Sequence, residues 1–390
     1  METDRLSGVV AVFAPAFPPA FRGGGPIRSI EALVHHASLT LAPIVLTPDT
    51  DPGVRGRLPV TRNRWTQHSG VQVFYTSVAN PILYLRSLLA VRKCRPQMIY
   101  LNSFFNPFMT IIPLLAWRLG FWGRPIRVVA PRGEFGEGAL TRRTTKKRVY
   151  LTFFRLLRLG KGVIWHATAE HEVENIRELW GLDARIILRE NDTLLPTEAE
   201  EPRRINSELR AVFLGRIVDH KGLAVALKAL ATCRARLSFD VYGVREDDAY
   251  FEKCVGLAND IPNNVQVQFH GAVHPTQVRE VLSGYDVLVM PTAGENFGHV
   301  IAEALSASCF VLTTPYTPWS GTLRSGAGTV VADLSPQKWK EAIEHIAVMS
   351  PEQRFQLRAT AGDAYTKWAA RPKEPSVLET AMEMTRKSAT

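Results

Sequence analysis

Two acidic side chains eight positions apart, Glu295 and Glu303, flank a segment whose residue types could bind a phosphorylated ligand. The segment reads GENFGHVIAEAL over residues 294–305 and follows the apolar run Asp286–Thr292. The run predicts a buried strand, and the pattern after it predicts a turn and then a helix that begins near Phe297. Glu295 would lie on the turn and Glu303 about two turns into the helix. Because the N-terminus of a helix attracts phosphate, the pattern is typical of a sugar-nucleotide site.

The alternative is a strand and an amphipathic helix whose two acids face solvent, and the spacing alone does not decide between the two interpretations. A second pattern favours ligand binding. The apolar run Ala211–Leu214 leads into GRIVDHKG, residues 215–222, and then into a helical pattern. Arg216 and Lys221 bracket this strand-to-helix turn, where two cations could hold a diphosphate.

Together, these two segments resemble the paired donor-site motifs of retaining glycosyltransferases with the GT-B fold, in the large family 4. Further resemblances to that family lie in residues 17–30, 241–243, 269–271 and 315–323, so the likeness covers nearly the whole chain. It implies an α/β protein made of two doubly wound, Rossmann-like domains that face a central cleft. The first half departs from the family pattern at PRGEF, residues 131–135, and at REND, residues 189–192.

The resemblance implies roles for the donor-site residues. Glu295 would contact hydroxyls of the donor sugar, and Glu303 would hold the ribose. Arg216 and Lys221 would neutralise the diphosphate as the glycosidic bond breaks, so they join Glu295 as the predicted catalytic residues. An internal pair between Arg216 and Asp219 is the alternative. The other predicted donor contacts are Gly24, Gly25, Asn296, Phe297, Gly298 and His299.

The acceptor side is predicted from fewer residues. Arg132 stands where relatives commonly carry a His, and Arg132 and Glu134 are the predicted acceptor-side residues. A salt bridge from Arg132 to Glu134 or Glu137 is an equally good interpretation. His166 ends an apolar run, and we expect it to be a hydrogen-bonded core residue rather than a base.

The predicted reaction needs no cofactor and no metal. The donor region contains no Asp-x-Asp element, and two cations there could supply the positive charge. We expect a hexosyltransferase that uses a UDP- or GDP-sugar and a saccharide or lipid-linked acceptor, in surface polysaccharide or glycolipid assembly of the bacterial type. A nucleotide-sugar epimerase on the same fold and a non-catalytic nucleotide-sugar-binding protein are the alternatives.

The chain of 390 residues is long enough for two domains. Short apolar runs alternate with helical patterns, which predicts parallel sheets covered by helices. The predicted domains are residues 1–195 and 206–370, and the resemblance implies that a terminal helix within residues 375–390 packs back on the first. Four cysteines without metal or redox spacing suit a reducing cytosol and indicate core thiols.

Positive charge is concentrated in the first half, although the net charge of the whole chain is only +10. Residues 55–161 carry 20 basic side chains and two acids, Glu134 and Glu137. The densest part, Arg142–Lys161, interleaves basic residues with Phe and Leu in a basic amphipathic pattern. We therefore expect a cytoplasmic protein that binds an anionic membrane surface peripherally. A solvated basic face is the alternative, and no nucleic-acid recognition module is apparent.

Overall fold

The computed structural model describes residues 8–37, 41–136, 144–203, 207–372 and 374–387. The chain forms two compact units. The first unit is Met1–Thr193 with Glu374–Thr390, and the second is Leu194–Lys373. Each unit is an α/β domain that is built on its own largely parallel sheet.

Within the described residues, the first unit contains a sheet with the strand order β3-β4-β2-β1-β5-β6-β7-β8. The strands are β1 Val9–Phe13, β2 Ala42–Pro48, β3 Trp65–His68, β4 Val71–Thr76, β5 Met98–Asn102, β6 Ile126–Ala130, β7 Ile164–Ala167 and β8 Arg185–Leu188. Strand β3 is antiparallel to β4, whereas the other pairings are parallel. The strand order reverses between β1 and β5, as in doubly wound folds.

Helices cover both faces of this sheet. They are α1 Gly25–Ala37, α2 Pro81–Lys93, α3 Ile112–Arg118, α4 Thr144–Leu156 and α5 Glu170–Trp180, with a helical segment at Pro107–Ile111. Alternate residues of β1 belong to different cores: Ala11 and Phe13 pack in one, and Val10 and Val12 in the other. A strand buried on both faces must be apolar throughout, which explains its uninterrupted apolar sequence.

The second unit has the strand order β11-β10-β9-β12-β13-β14 within the described residues, and every pairing is parallel. The strands are β9 Leu209–Leu214, β10 Leu237–Tyr242, β11 Val265–Gly271, β12 Val287–Met290, β13 Phe310–Thr313 and β14 Gly328–Val330. The helices are α6 Leu223–Leu230, α7 Asp248–Asn259, α8 Val278–Ser283, α9 His299–Ser306, α10 Pro336–Ala347 and α11 Pro351–Ala369. Shorter helical segments are Asp219–Lys221, Pro275–Gln277, Ser320–Thr322 and Leu323–Ala327. The order again reverses next to β9, between β9 and β12.

The terminal helix α12, Val377–Lys387, belongs to the first unit. Its apolar face enters the core that also contains Val10 and Val12. The sequence predicts a helix from Pro375, but the helix begins two residues later because Ser376 caps it. The Glu379 amide donates to Ser376 Oγ at 3.2 Å, and Glu379 Oε2 accepts from the Ser376 amide at 2.8 Å.

Two strands were not predicted, β3 and β8. Both are short edge strands with little apolar alternation. Three of the four cysteines are buried as expected, whereas Cys94 is half-buried. Of the predicted basic cluster, Arg142 and Arg143 lie outside the described residues, and Lys146–Leu156 lies on α4. No described helix is long and apolar enough to cross a membrane.

Candidate functional site

The two motifs that the sequence singles out follow neighbouring strands of the second sheet. Strand β9 leads into residues 215–222, and β12 leads into residues 291–298. These strands pair in parallel, so both loops emerge at the same edge of the sheet. They also flank the point where the strand order reverses, which is where open α/β sheets bind their ligands.

The two loops are in direct backbone contact. Gly222 has a left-handed backbone with φ of 75°, and a Cβ on it would lie 1.8 Å from the carbonyl oxygen of Pro291. The Ala293 amide donates to the carbonyl of His220 at 2.8 Å. Only a glycine permits this approach, and it fixes the first loop against the second.

The contact between the loops brings Lys221 against Glu295. The Lys221 Nζ atom donates to Glu295 Oε1, and Thr292 Oγ1 lies 3.1 Å from the same oxygen. The Glu295 amide donates to the carbonyl of Tyr316 at 2.9 Å. The side chains of Lys221 and Glu295 are only 14% and 10% exposed, so the pair is largely shielded from water. The contact of Thr292 with Glu295 was not predicted from the sequence, although Thr292 is the last residue of the apolar run.

Arg216 pairs with a residue that the sequence did not indicate. Its Nη1 atom lies 2.8 Å from Glu246 Oε2, so the expected alternative of an internal pair with Asp219 is wrong. Glu246 belongs to the loop after β10, thirty positions along the chain. The side chains of Arg216 and Glu246 are 35% and 46% exposed, so the pair is accessible to solvent. Sequence reasoning missed Glu246, because nothing in its neighbourhood resembles a motif.

Helix α9 begins at His299 rather than near Phe297, because Gly298 adopts a left-handed backbone with φ of 78°. Phe297 is buried, and its carbonyl accepts a hydrogen bond from Trp319 Nε1 at 2.6 Å. The ring of His299 packs 4.7 Å from the ring of Phe297. The residue at the N-cap of α9 is Gly298, which has no side chain to cap the helix. The partial positive charge of the helix N-terminus therefore lies beside the second loop.

The remaining residues of the second motif differ in accessibility. Asn296 is half-buried, whereas Glu303 is buried at 6% exposure. Glu303 lies little more than one turn into α9, instead of two turns as expected, because the helix begins later. The structure thus brings Lys221 and Glu295 into contact, and it places Arg216 in a separate ion pair.

The ends of β10 and β11 form a polar cluster in the same unit. The rings of Tyr242 and His270 stack with centroids 4.5 Å apart. Asp240 contacts one ring of this stack, because its carboxylate lies 2.6 Å from His270 Nε2, and it also accepts from Tyr285 Oη at 2.9 Å. Tyr285 Oη in turn lies 3.0 Å from Tyr242 Oη. A flat, fixed pair of rings is suited to stacking against a nucleobase.

The predicted glycines Gly24 and Gly25 lie in the first unit. Gly24 has φ of 69°, and α1 begins at Gly25. The preceding turn is held by Asp51, whose Oδ1 atom accepts from the Arg22 amide at 3.1 Å. A Cβ on Gly24 would meet nothing within 4 Å, so its backbone conformation rather than crowding requires glycine there.

The described contacts of Arg132 are hydrogen bonds, and none of them is the alternative salt bridge to Glu134. Arg132 has φ of 55°, an uncommon conformation for a residue with a side chain. Its Nε atom donates to Asn102 Oδ1 at 2.7 Å, its Nη2 atom to Tyr100 Oη at 2.9 Å, and its Nη1 atom to Asn191 Oδ1. Arg132 is therefore fixed by two parts of the first unit, strand β5 and the segment after β8. Glu137, the other suggested partner, lies outside the described residues.

Glu134 points inward. Its Oε1 atom accepts from Ser103 Oγ at 2.6 Å, and its Oε2 atom accepts from the amides of Phe104 at 2.5 Å and Phe105 at 2.9 Å. Burial raises the pKa of Glu134 above its ordinary value, and these hydrogen bonds oppose that shift. Its described contacts thus fix the loop after β5.

His166 is a hydrogen-bonded core residue, as the sequence predicts. Its Nε2 atom lies 2.9 Å from the carbonyl oxygen of Arg189, which can only accept, so Nε2 carries the hydrogen. Its Nδ1 atom then accepts from Tyr100 Oη at 2.7 Å. Burial, together with the nearby Arg132 cation, lowers the pKa of His166 to about 3.

Comparison with known proteins fits this geometry. Residues 197–362 match the family described as glycosyl transferases group 1. Comparison with curated proteins finds no match. The chain is similar to Anabaena Alr3699/HepE in complex with UDP and glucose, with a TM-score of 0.70 at 13% identity over 98% of this chain and 99% of that one.

Two further solved structures show the same architecture. Sucrose-phosphate synthase from Thermosynechococcus elongatus gives a TM-score of 0.70 at 15% identity, over 98% of each chain. WaaG, a glycosyltransferase involved in lipopolysaccharide biosynthesis, gives 0.60 at 16% identity, over 96% of this chain and 99% of that one. The chain therefore has the GT-B fold of two α/β domains, and the match to the glycosyl transferases group 1 model lies within its second unit.

Proposed function

We propose that this protein is a retaining glycosyltransferase of family 4 that moves a hexose from a UDP- or GDP-sugar to a saccharide or lipid-linked saccharide. The ion pair between Lys221 and Glu295 carries the proposal. It places a cation and a carboxylate together where two loops of a group 1 domain meet. Alr3699/HepE has been solved with UDP-glucose, and WaaG acts in lipopolysaccharide biosynthesis. We therefore assign the reaction to surface polysaccharide or glycolipid assembly of the bacterial type.

In the proposed reaction, the bond from the anomeric carbon to the diphosphate oxygen breaks. The acceptor hydroxyl oxygen bonds to the same carbon on the same face, and its proton leaves with the diphosphate. Lys221 and Arg216 stabilise the charge that the diphosphate gains. Arg216 must exchange Glu246 for the phosphate, which is a small cost because a solvent-accessible ion pair contributes only about 0–1 kcal/mol.

Glu295 binds the sugar in this proposal. Lys221 and Thr292 lie against its Oε1 atom, so the carboxylate is held in one orientation and its Oε2 atom can accept from sugar hydroxyls. The N-terminus of α9 attracts the phosphates. The stacked rings of Tyr242 and His270 provide a platform for the base. Glu303 is the proposed ribose contact, and Arg132 and Glu134 act on the acceptor side by fixing the loops that they bind.

The experiment starts with a thermal-shift screen of UDP- and GDP-sugars and continues with mass spectrometry of reactions that contain soluble or lipid-linked acceptors. We expect nucleoside diphosphate release only when acceptor is present, and NMR of the product should show the anomeric configuration of the donor. Lys221→Ala should lower turnover on the order of 100-fold. Lys228→Ala, which removes an exposed lysine from α6, is the matched control.

Two outcomes would favour the alternatives. Conversion of the donor sugar without any acceptor would indicate an epimerase. Donor binding without conversion of either kind, across the acceptor panel, would indicate a non-catalytic binding protein.

A further inference from the structure

Helix α2 is apolar on two faces. Its inner face contributes buried residues, including Tyr84 and Leu88, to the core. Its outer face presents a second apolar stripe with spacings of three and four positions, and these side chains are 40% to 67% exposed. The stripe consists of Ile82, Leu85 and Leu89. Single exposed apolar residues are common, but a helical stripe of them is not explained by the core.

Helix α4 repeats this arrangement. Phe154 is buried in an aromatic cluster, and its ring centroid lies 4.8 Å from that of Phe104. The opposite stripe has spacings of four and three positions and is 46% to 76% exposed. It consists of Val149, Phe153 and Leu156. The interleaved aromatic residues of this helix thus divide between the core and the solvent.

One loop contacts both helices, which pack against the same core of the sheet. Tyr84 of α2 donates a hydrogen bond to the carbonyl of Phe108, and their rings lie 5.5 Å apart. Tyr150 of α4 donates to the carbonyl of Phe104, and its ring lies 5.2 Å from that of Phe105. The side chain of Phe108 is itself exposed. We use the name docking surface for seven exposed apolar residues: Ile82, Leu85, Leu89, Phe108, Val149, Phe153 and Leu156.

Exposed basic side chains accompany the docking surface. They are Arg86 on α2 and Lys146, Arg148 and Arg155 on α4. Residues 55–161 contain only two acids. Glu134 is turned inward onto backbone amides, and Glu137 lies outside the described residues. Among the described residues of 55–161, no carboxylate is exposed, whereas the neighbouring helix α5 carries the exposed carboxylates of Glu174 and Glu178.

We propose that the docking surface binds an anionic lipid bilayer, with its apolar side chains among the acyl chains and its basic side chains at the headgroups. Apolar and cationic groups on one face satisfy both parts of such an interface. A second copy of this chain would place two basic surfaces against each other, which like-charge repulsion opposes. Bilayer binding itself requires neither donor nor acceptor. Only the idea that this binding brings the protein to a lipid-linked acceptor rests on the proposed function.

Vesicle flotation of the full chain tests the proposal, with vesicles of phosphatidylcholine alone or mixed with phosphatidylglycerol. We expect binding to the anionic vesicles at low salt and release at 1 M salt, where the screening length falls to about 3 Å. The charge variant Arg86→Gln/Lys146→Gln/Arg148→Gln should bind on the order of 100-fold more weakly. The apolar variant Ile82→Gln/Leu85→Gln/Val149→Gln should also lose binding.

Matched controls remove equal chemistry elsewhere. Lys228→Gln/Lys253→Gln/Lys367→Gln removes three exposed charges from the second unit, and Leu194→Gln/Val348→Gln removes two exposed apolar side chains from the same unit. Both control proteins should bind vesicles like the wild type. Circular dichroism and thermal unfolding should show that every variant is folded.

Three results would overturn the proposal. The first is no binding of wild type to anionic vesicles at low salt. The second is equal binding by the wild type, the charge variant and the apolar variant. The third is a stable wild-type dimer in solution that the apolar variant dissociates, because the surface would then be covered by a second copy. Each of these results can occur with glycosyltransferase activity intact, so the two proposals can fail separately.

Discussion

Gly222 and Pro291 approach so closely that a Cβ on Gly222 would lie 1.8 Å from the Pro291 carbonyl oxygen. This contact joins the loops that follow β9 and β12, and it sets the position of Lys221 next to Glu295. The geometry of the candidate site therefore depends on a residue without a side chain, and the glycine itself can be tested.

A left-handed backbone costs an alanine about 1–2 kcal/mol. Gly222→Ala should lower the free energy of unfolding of the second unit by more than this amount. The added methyl group must push the two loops apart, so nucleotide binding should weaken as well. Gly271→Ala is the matched control for stability, because Gly271 has φ of 78° and a Cβ on it would meet nothing within 4 Å. Urea unfolding measures both variants. Equal losses of stability would show that the close approach has no energetic consequence.

Glu295→Gln should lower turnover on the order of 100-fold, because the neutral amide binds sugar hydroxyls less strongly than a carboxylate does. Binding of free nucleoside diphosphate should stay nearly unchanged, since Lys221 remains available to the phosphate. Steady-state kinetics and calorimetry separate the two effects. Glu280→Gln removes an exposed carboxylate from α8 and should leave both quantities unchanged. Full transfer activity in Glu295→Gln would show that Glu295 does not make the proposed contact with the sugar.

Arg216→Ala should weaken diphosphate binding and lower turnover on the order of 100-fold, because the charge that develops on the diphosphate loses one of its two cations. Stability should change little, since the solvent-accessible pair with Glu246 contributes only about 0–1 kcal/mol. Arg245→Ala is the control. Arg245 pairs with Asp248 and Glu252 of the adjoining helix α7, and its loss should not affect turnover.

Metal independence remains a prediction. The described residues contain no group of three or more His, Cys, Asp or Glu side chains that could hold a metal ion. We expect activity in excess chelator to equal activity with magnesium or manganese, because Arg216 and Lys221 supply the charge. The metal-saturated chelator serves as the control for direct inhibition. A complete loss of activity that added metal restores would refute this prediction.

The sequence predicted the parts of this structure that depend on local pattern. Apolar runs located β9 and β12, and the residues after them located the loops that carry Lys221 and Glu295. Pairings between distant residues were not predictable. Arg216 binds Glu246 because β9 and β10 are neighbours in the sheet, and that order is a property of the whole domain.

Some local features of the backbone were also not predictable from the sequence pattern. The left-handed Gly298 delays the start of α9 and moves Glu303 toward the beginning of the helix. Strand β3 was missed because it depends on a hairpin with β4 rather than on apolar residues, with Ser69 and Gly70 both at positive φ in the turn. The outer stripe of α4 could not be told from its core face, because apolar residues occur on both.

His166 should make the stability of the first unit depend on pH. Its pKa in the folded protein is about 3, below the roughly 6.5 of an exposed histidine. Between these values the unfolded chain binds a proton that the folded protein does not, so the free energy of unfolding falls as the pH is lowered from about 6.5. The slope from this one group approaches about 1.4 kcal/mol per pH unit. His166→Gln keeps a polar side chain at this position but cannot titrate.

Urea unfolding of the wild type and His166→Gln between pH 4 and 8, followed by tryptophan fluorescence, isolates this contribution. Other titrating groups, such as Asp192 and Glu134, are present in both proteins and largely cancel in the difference. We expect a constant difference in the free energy of unfolding above about pH 7 and a shift in favour of the variant as the pH falls. Parallel curves throughout would mean that His166 becomes protonated within the folded protein, which would contradict its hydrogen-bond acceptance from Tyr100.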